Sequence, residues 1–153
     1  MEALDRLIAS SKRLKAWRTS GVSEDVIADA ERVLGVVFPT SYRSWLATYG
    51  TGYLDGYELQ GLFDTKPSER DPSDVLSGDV VFTTQLNRQS GDPLHLIELV
   101  SYEGDEVYYL DLSRGVGGEA PVVCRDATAP AHLKVDAQTF EAFLRKRLQE
   151  SHP

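Results

Sequence analysis

Apolar residues recur through the first fifty positions at spacings of three and four. Leu4, Leu7, Ile8, Leu14 and Trp17 fall along one side of a helix, which the pattern extends over residues 2–18 with Gly21 as its stop. Ser23 is placed to cap a second helix, because its hydroxyl can accept from a free amide of the first turn. Glu24 and Asp25 suit the positive end of that helix's dipole. The second helix turns Val26, Ile27, Ala30, Val33 and Leu34 inward and stops at Gly35. Pro39 drives Phe38 out of the helical region and opens a third helix, with Tyr42, Trp45, Leu46 and Tyr49 inward and Gly50 at its end.

Beyond Gly50 the period shortens. Glycines 50, 52, 56 and 61 alternate with Tyr53, Leu54, Tyr57, Leu59 and Leu62, as in a strand or tight hairpin. Residues 63–79 are polar, with Pro67, Pro72 and Gly78, and read as a long surface loop. The segment from Asp79 is two-sided: its β-branched residues favour a strand, while Val81, Gln85 and Arg88 are spaced for a short helix. Leu94–Tyr102 and Glu106–Leu112 are the clearest strands, joined by a Gly-containing turn, and Ala120–Cys124 adds a third. Asp136 is placed as the cap of a final helix bearing Phe140, Phe143, Leu144 and Leu148. Helices first, then a run of strands, then one helix imply an α+β fold, an antiparallel or mixed sheet with flanking helices. A single domain over residues 1–153 is expected, with its core at about 23–148.

Composition narrows the function. The chain of 153 residues is 41% hydrophobic, enough for one core. Its 24 Asp and Glu against 16 Lys and Arg leave a formal charge of −8. That balance argues against nucleic acid and anionic membrane surfaces, both of which demand surplus cations, and favours a basic protein partner. One cysteine, Cys124, excludes an internal disulfide and a Cys-based zinc site. The opening residues do not read as a signal peptide, and no apolar run nears the ~20 residues of a membrane span, so the cytoplasm is the expected address.

Candidate chemistry is sparse. His95, His132 and His152 are not at metal-ligand spacing, and Cys124 follows a Val-Val pair as a small core residue does. Asp55 with Glu58, and Asp105 with Glu106, are paired carboxylates, but acid–base work needs one partner shifted by burial, and turn positions keep carboxylates ionised. Gly115-Val-Gly-Gly-Glu119 precedes no helix and so makes no phosphate cradle. No catalytic set, metal or cofactor is expected.

The stretch from Ser23 to Gly50 resembles the SUKH superfamily of cell-wall-assembly regulators and bacterial toxin-immunity proteins. The residues that carry the likeness are Leu34-Gly35, Phe38-Pro39, Tyr42, Leu46 and Tyr49-Gly50. Asp55–Leu62, Gly104–Leu112 and Phe140–Leu144 follow in the superfamily's order. Phe38 stands where Leu is usual, and Tyr49 where Asn is usual. The resemblance implies a mixed domain in which Asp79–Arg88 is helical. It implies binding rather than catalysis, with a cognate toxin as partner in the bacterial members and a host protein in the regulators. It carries over no set of contact residues. A small carboxylate-based hydrolase is the remotest alternative.

The charge map supplies the contact residues instead. Between Asp55 and Asp79 seven acids stand against Lys66 and Arg70; between Glu98 and Glu119 six stand against Arg114; residues 1–22 carry a basic excess. Tyrosines, which are enriched at interface hot spots, are interleaved with the acids. If the two acidic segments share a face, a basic toxin domain would dock on Asp55, Tyr57, Asp64, Glu69, Asp71, Asp105, Glu106 and Tyr108. Strand alternation sends Tyr108 and Tyr109 to opposite faces, so at least one is expected to point outward. A monomer is the expected state.

Overall fold

A computed structural model describes residues 2–16, 21–102, 106–126 and 132–149. Its helices are α1 (Glu2–Ser10), α2 (Glu24–Leu34), α3 (Thr40–Tyr49), α4 (Val80–Gln89) and α5 (Phe140–Gln149). Its strands are β1 (Leu14–Ala16), β2 (Gly52–Leu54), β3 (Tyr57–Leu59), β4 (Leu96–Tyr102), β5 (Glu106–Asp111), β6 (Val122–Asp126) and β7 (Leu133–Ala137). They form two antiparallel sheets, in the orders β1-β2-β3 and β4-β5-β6-β7. A bond from the Gln60 amide to the Leu99 carbonyl, 2.7 Å, ties the chain after β3 to β4. The α+β class is as the sequence implies.

The predicted caps of α2 form. Ser23 Oγ accepts from the Val26 amide, and Gly35 ends α2 in the left-handed conformation with φ 69°. The β2–β3 turn is Asp55-Gly56, with φ of 54° and 84°. Positive φ at both central residues is the tight-hairpin geometry that an Asp-Gly pair favours.

Two elements differ from the sequence reading, and a third, which the residues left open, is the helix that the family resemblance implied. The first helix stops at Ser10 rather than continuing to residue 18. The Ser11 amide bonds to the Ile8 carbonyl and Ser11 Oγ accepts from the Arg13 amide, so local bonds compete with the next helical turn. Leu14–Ala16 then pair with β2, which buries Leu14 beside Leu54. Trp17 lies outside the described residues. Gly21 terminates no described helix; a Cβ there would come within 2.0 Å of the Ala47 carbonyl oxygen, so its role is close approach to α3. The segment after Asp79 is a helix, because Asp79 Oδ1 accepts from the Phe82 amide at 2.9 Å and tertiary packing outweighs the β-branched residues. Asp136 is not a cap. It lies in β7, an unforeseen strand, and the cap of α5 is Thr139, whose Oγ1 accepts from the Ala142 amide at 3.0 Å.

All five helices and one side of the four-stranded sheet share a core that includes Leu4, Ile27, Leu46, Leu54, Ile97, Leu110 and Phe143. Its centre is aromatic. Tyr42 meets Phe38, Trp45 and Phe140 at centroid distances of 5.2, 6.1 and 5.1 Å. The Tyr42 hydroxyl donates to the Gln60 carbonyl at 2.6 Å. A smaller cluster, Leu96, Tyr109 and Val123, forms separately from this core. Val33, expected inside, is 36% exposed.

Candidate protein-binding surface

The structure divides the expected docking residues into two groups. Asp55, Tyr57, Glu106 and Tyr108 belong to a network at the hairpin ends. Arg13 donates from Nε and Nη2 to both carboxylate oxygens of Asp55, at 2.7 and 2.6 Å, and from Nη1 to the Arg147 carbonyl. Tyr57 meets Tyr102 edge-on at 5.0 Å, and Tyr102 meets Tyr108 at 5.8 Å. The Arg147 guanidinium lies over the Tyr108 ring at 4.6 Å, and the Tyr108 hydroxyl donates to Glu106.

The expectation that Tyr108 or Tyr109 faces outward fails. Each is only 4% exposed. Strand alternation does separate them, but both sides of β5 are covered. Tyr109 lies under Arg125, whose guanidinium is 5.0 Å from the ring. Burial drives the Tyr108 hydroxyl pKa far up, with Glu106 adding to it; burial also raises that of Tyr109, to about 12.

Asp64, Glu69 and Asp71 form the second group. All three are exposed on the segment between β3 and α4, together with Asp74. That segment includes a single helical turn, Pro67–Glu69, and is held at several points. Asp29, on α2, is 1% exposed and accepts from the Ser68 amide at 2.9 Å and the Ser68 hydroxyl at 2.8 Å, with Arg32 also on its carboxylate. Burial pushes the Asp29 carboxyl up, but the Ser68 bonds and neighbouring cations outweigh it and leave it below its ordinary value. Arg70 lies 2.7 Å from Asp79 Oδ2, an ion pair too oblique for a hydrogen bond. Asp71 Oδ1 accepts from the Ser73 amide and hydroxyl, which holds this carboxyl below its ordinary value. The loop is therefore fastened to α2 and α4, and it presents exposed acids from a backbone held at both helices.

Other acids in the charge map belong to the scaffold. Asp79 is fully buried. Asp111 accepts from Ser113 and pairs with Arg114. Glu119 caps α3 from a distant loop: its carboxylate accepts from the Ser41 amide and hydroxyl, replacing the cap that Pro39 cannot supply. Glu58 accepts from the Ser77 hydroxyl. Asp105 lies outside the described residues. The sequence analysis missed Asp29, although an acid three residues from Val26, inside the apolar stripe of α2, was a usable signal.

Glu98 gives a pH signature. It is half-buried in β4, with Asn87 Nδ2 donating to it at 3.1 Å. Burial raises its pKa; the Asn87 bond opposes this, while Asp92 and Glu58 add to it. A raised folded-state pKa contributes stability that is complete below the unfolded value, about 4.3, and is lost as pH rises through the folded value. Glu98→Gln keeps an acceptor for Asn87 and removes the charge. Its melting temperature relative to the parent should therefore be more favourable near pH 7 than near pH 4. A difference that does not change between those pH values would refute this account.

A groove borders the acidic loop. Val33, Pro67, Ser68, Arg70, Asp71, Pro72, Asp74, Leu76, Val81, Phe82 and Gln85 line a space of about 220 Å³ between α2, the loop and α4. Among the described residues, no three His, Cys, Asp or Glu side chains converge as a metal site. No described helix is long and apolar enough to cross a membrane.

The model of the SMI1 / KNR4 family (SUKH-1) matches residues 21–146. The chain belongs to that family. Within this SUKH-1 protein, α1 and β1 fall outside the matched residues, while the acidic loop and its groove fall inside them. A similar solved structure is that of a protein from Pseudomonas syringae pv. tomato, with a TM-score of 0.61 and 14% identity over 94% of each chain. At that identity the likeness concerns the fold alone. No curated protein matches the chain.

Proposed function

We propose that this SUKH-1 protein is an immunity protein that neutralises a cognate bacterial toxin domain by direct binding and occlusion, without catalysis. The observation that carries the proposal is the pinned acidic loop. Asp64, Glu69, Asp71 and Asp74 are exposed on a backbone already fastened by Asp29 and Asp79, so little ordering entropy is lost when a basic surface docks. Rigid carboxylates can stand in for the phosphates that a basic nuclease-type domain would otherwise hold. The hairpin-end group contributes the exposed Glu106, to which the buried Tyr108 hydroxyl donates, and Tyr57, packed edge-on against Tyr102.

The test is to identify a basic toxin-like domain in the neighbouring gene and to measure its association kinetics with this chain at two salt concentrations. Reversing Asp64, Glu69 and Asp71 to Lys should slow association by about ten-fold or more at low salt and weaken protection in cells. Reversing Lys12 and Lys15 to Glu should change little. If only the N-terminal reversal abolishes binding, the docking face is elsewhere. A chain that binds no neighbouring toxin but holds a host protein would instead be a regulator-type scaffold.

A further inference from the structure

We infer that the groove between α2, the acidic loop and α4 is a socket for one basic side chain, arginine or lysine, of the protein partner. The inference rests on the protein-binding reading above and adds to it the chemistry of an anchor. The groove has an apolar floor and an acidic lip. Val81 is buried, Leu76 and Phe82 are half-buried, and Val33 forms a partly exposed wall. Asp71 and Asp74 stand exposed at the mouth.

That combination matches a long side chain with an aliphatic stem and a charged tip, since the stem covers apolar surface while the head meets carboxylates. The space of about 220 Å³ is below the ~300–1,000 Å³ of ordinary small-molecule sites, which favours a single side chain over a free metabolite. Arg70 also lines the groove, but its guanidinium is occupied by Asp79 and by the Thr65 carbonyl, 3.3 Å away, so its charge is compensated. The Ser73 amide and hydroxyl both donate to Asp71 Oδ1, which holds this carboxyl below its ordinary value. The walls are set beforehand, through Asp29 on Ser68 and through Pro67 and Pro72 in the loop.

The test needs no partner protein. Amide spectra of the 15N-labelled chain are recorded while N-acetyl-arginine amide is added, with N-acetyl-citrulline amide as the uncharged probe of the same shape. Saturable shifts at Val33, Asp71, Asp74 and Phe82 are expected with arginine, and binding about three-fold or more weaker with citrulline. Asp71→Asn with Asp74→Asn should weaken the arginine probe similarly. Val33→Trp, which fills the groove without altering its charge, should abolish the shifts; Gln85→Trp blocks it from the other wall should the first variant fail to fold. Absent shifts, equal binding of both probes, or shifts that survive groove filling would overturn the socket. A toxin complex weakened by loop charge reversal yet unchanged by groove filling would leave the proposed function standing and remove only the socket.

Discussion

Phe140→Ala is expected to lower the stability of the fold by about 3–5 kcal/mol, read from urea unfolding monitored by tryptophan fluorescence. Phe140 is fully buried and meets Tyr42 at 5.1 Å, Trp45 at 5.8 Å and Phe143 at 6.4 Å. It joins the last helix to the third, so truncation leaves a void between elements far apart in sequence. The surrounding rings are rigid and collapse poorly into such a space, which places the cost high in the range for aromatic truncation. Phe140→Leu fills most of the volume and should recover a good part of the loss. If both variants unfold at the parent's midpoint, the aromatic centre does not hold these helices together.

Asp79→Ala is the second large effect, expected at about 3–5 kcal/mol, because one change removes a helix cap and leaves a buried cation unpaired. Asp79 Oδ1 caps α4 through the Phe82 amide, and Oδ2 faces Arg70, whose side chain is only 11% exposed. Asp79→Asn separates the two contributions. Asparagine caps as well as aspartate, so this variant keeps the α4 bond and loses only the charge opposite Arg70. It should fall between parent and alanine in thermal melts. Both variants should also loosen the acidic loop, which faster amide exchange at residues 67–76 would report. Equal losses for Ala and Asn would mean that the cap contributes nothing and the charge everything.

The positions of the second and third helices were legible because their signals are local. Ser23 and Gly35 act through bonds within one turn, and the stripe from Tyr42 to Tyr49 follows from the helical repeat alone. Asp55-Gly56 likewise makes its turn from backbone preferences that the two residues carry with them. The first helix and the segment after Asp79 were misread or left open for the converse reason. Leu14–Ala16 are a strand because β2 offers them a partner, and Val80–Gln89 are a helix because a buried cap and the core reward it. Strand Leu133–Ala137 was hidden by the charges at Lys134 and Asp136, since an edge strand can carry charge that a buried one cannot.

The candidate surface divides in the same way. The sequence by itself determined the family, the α+β class and an acidic excess concentrated between Asp55 and Asp79. It could not sort those acids, because an aspartate that caps, one that pairs and one that faces water are the same letter. Tertiary structure made the assignment: Asp79 went to a cap and an ion pair, and Asp55 to Arg13. Glu119 went to the amide that opens α3, and Asp64, Glu69 and Asp71 were left exposed on the surface. A buried carboxylate must find donors, whereas an exposed one is satisfied by water. Which donors come within reach is fixed by contacts between residues distant along the chain.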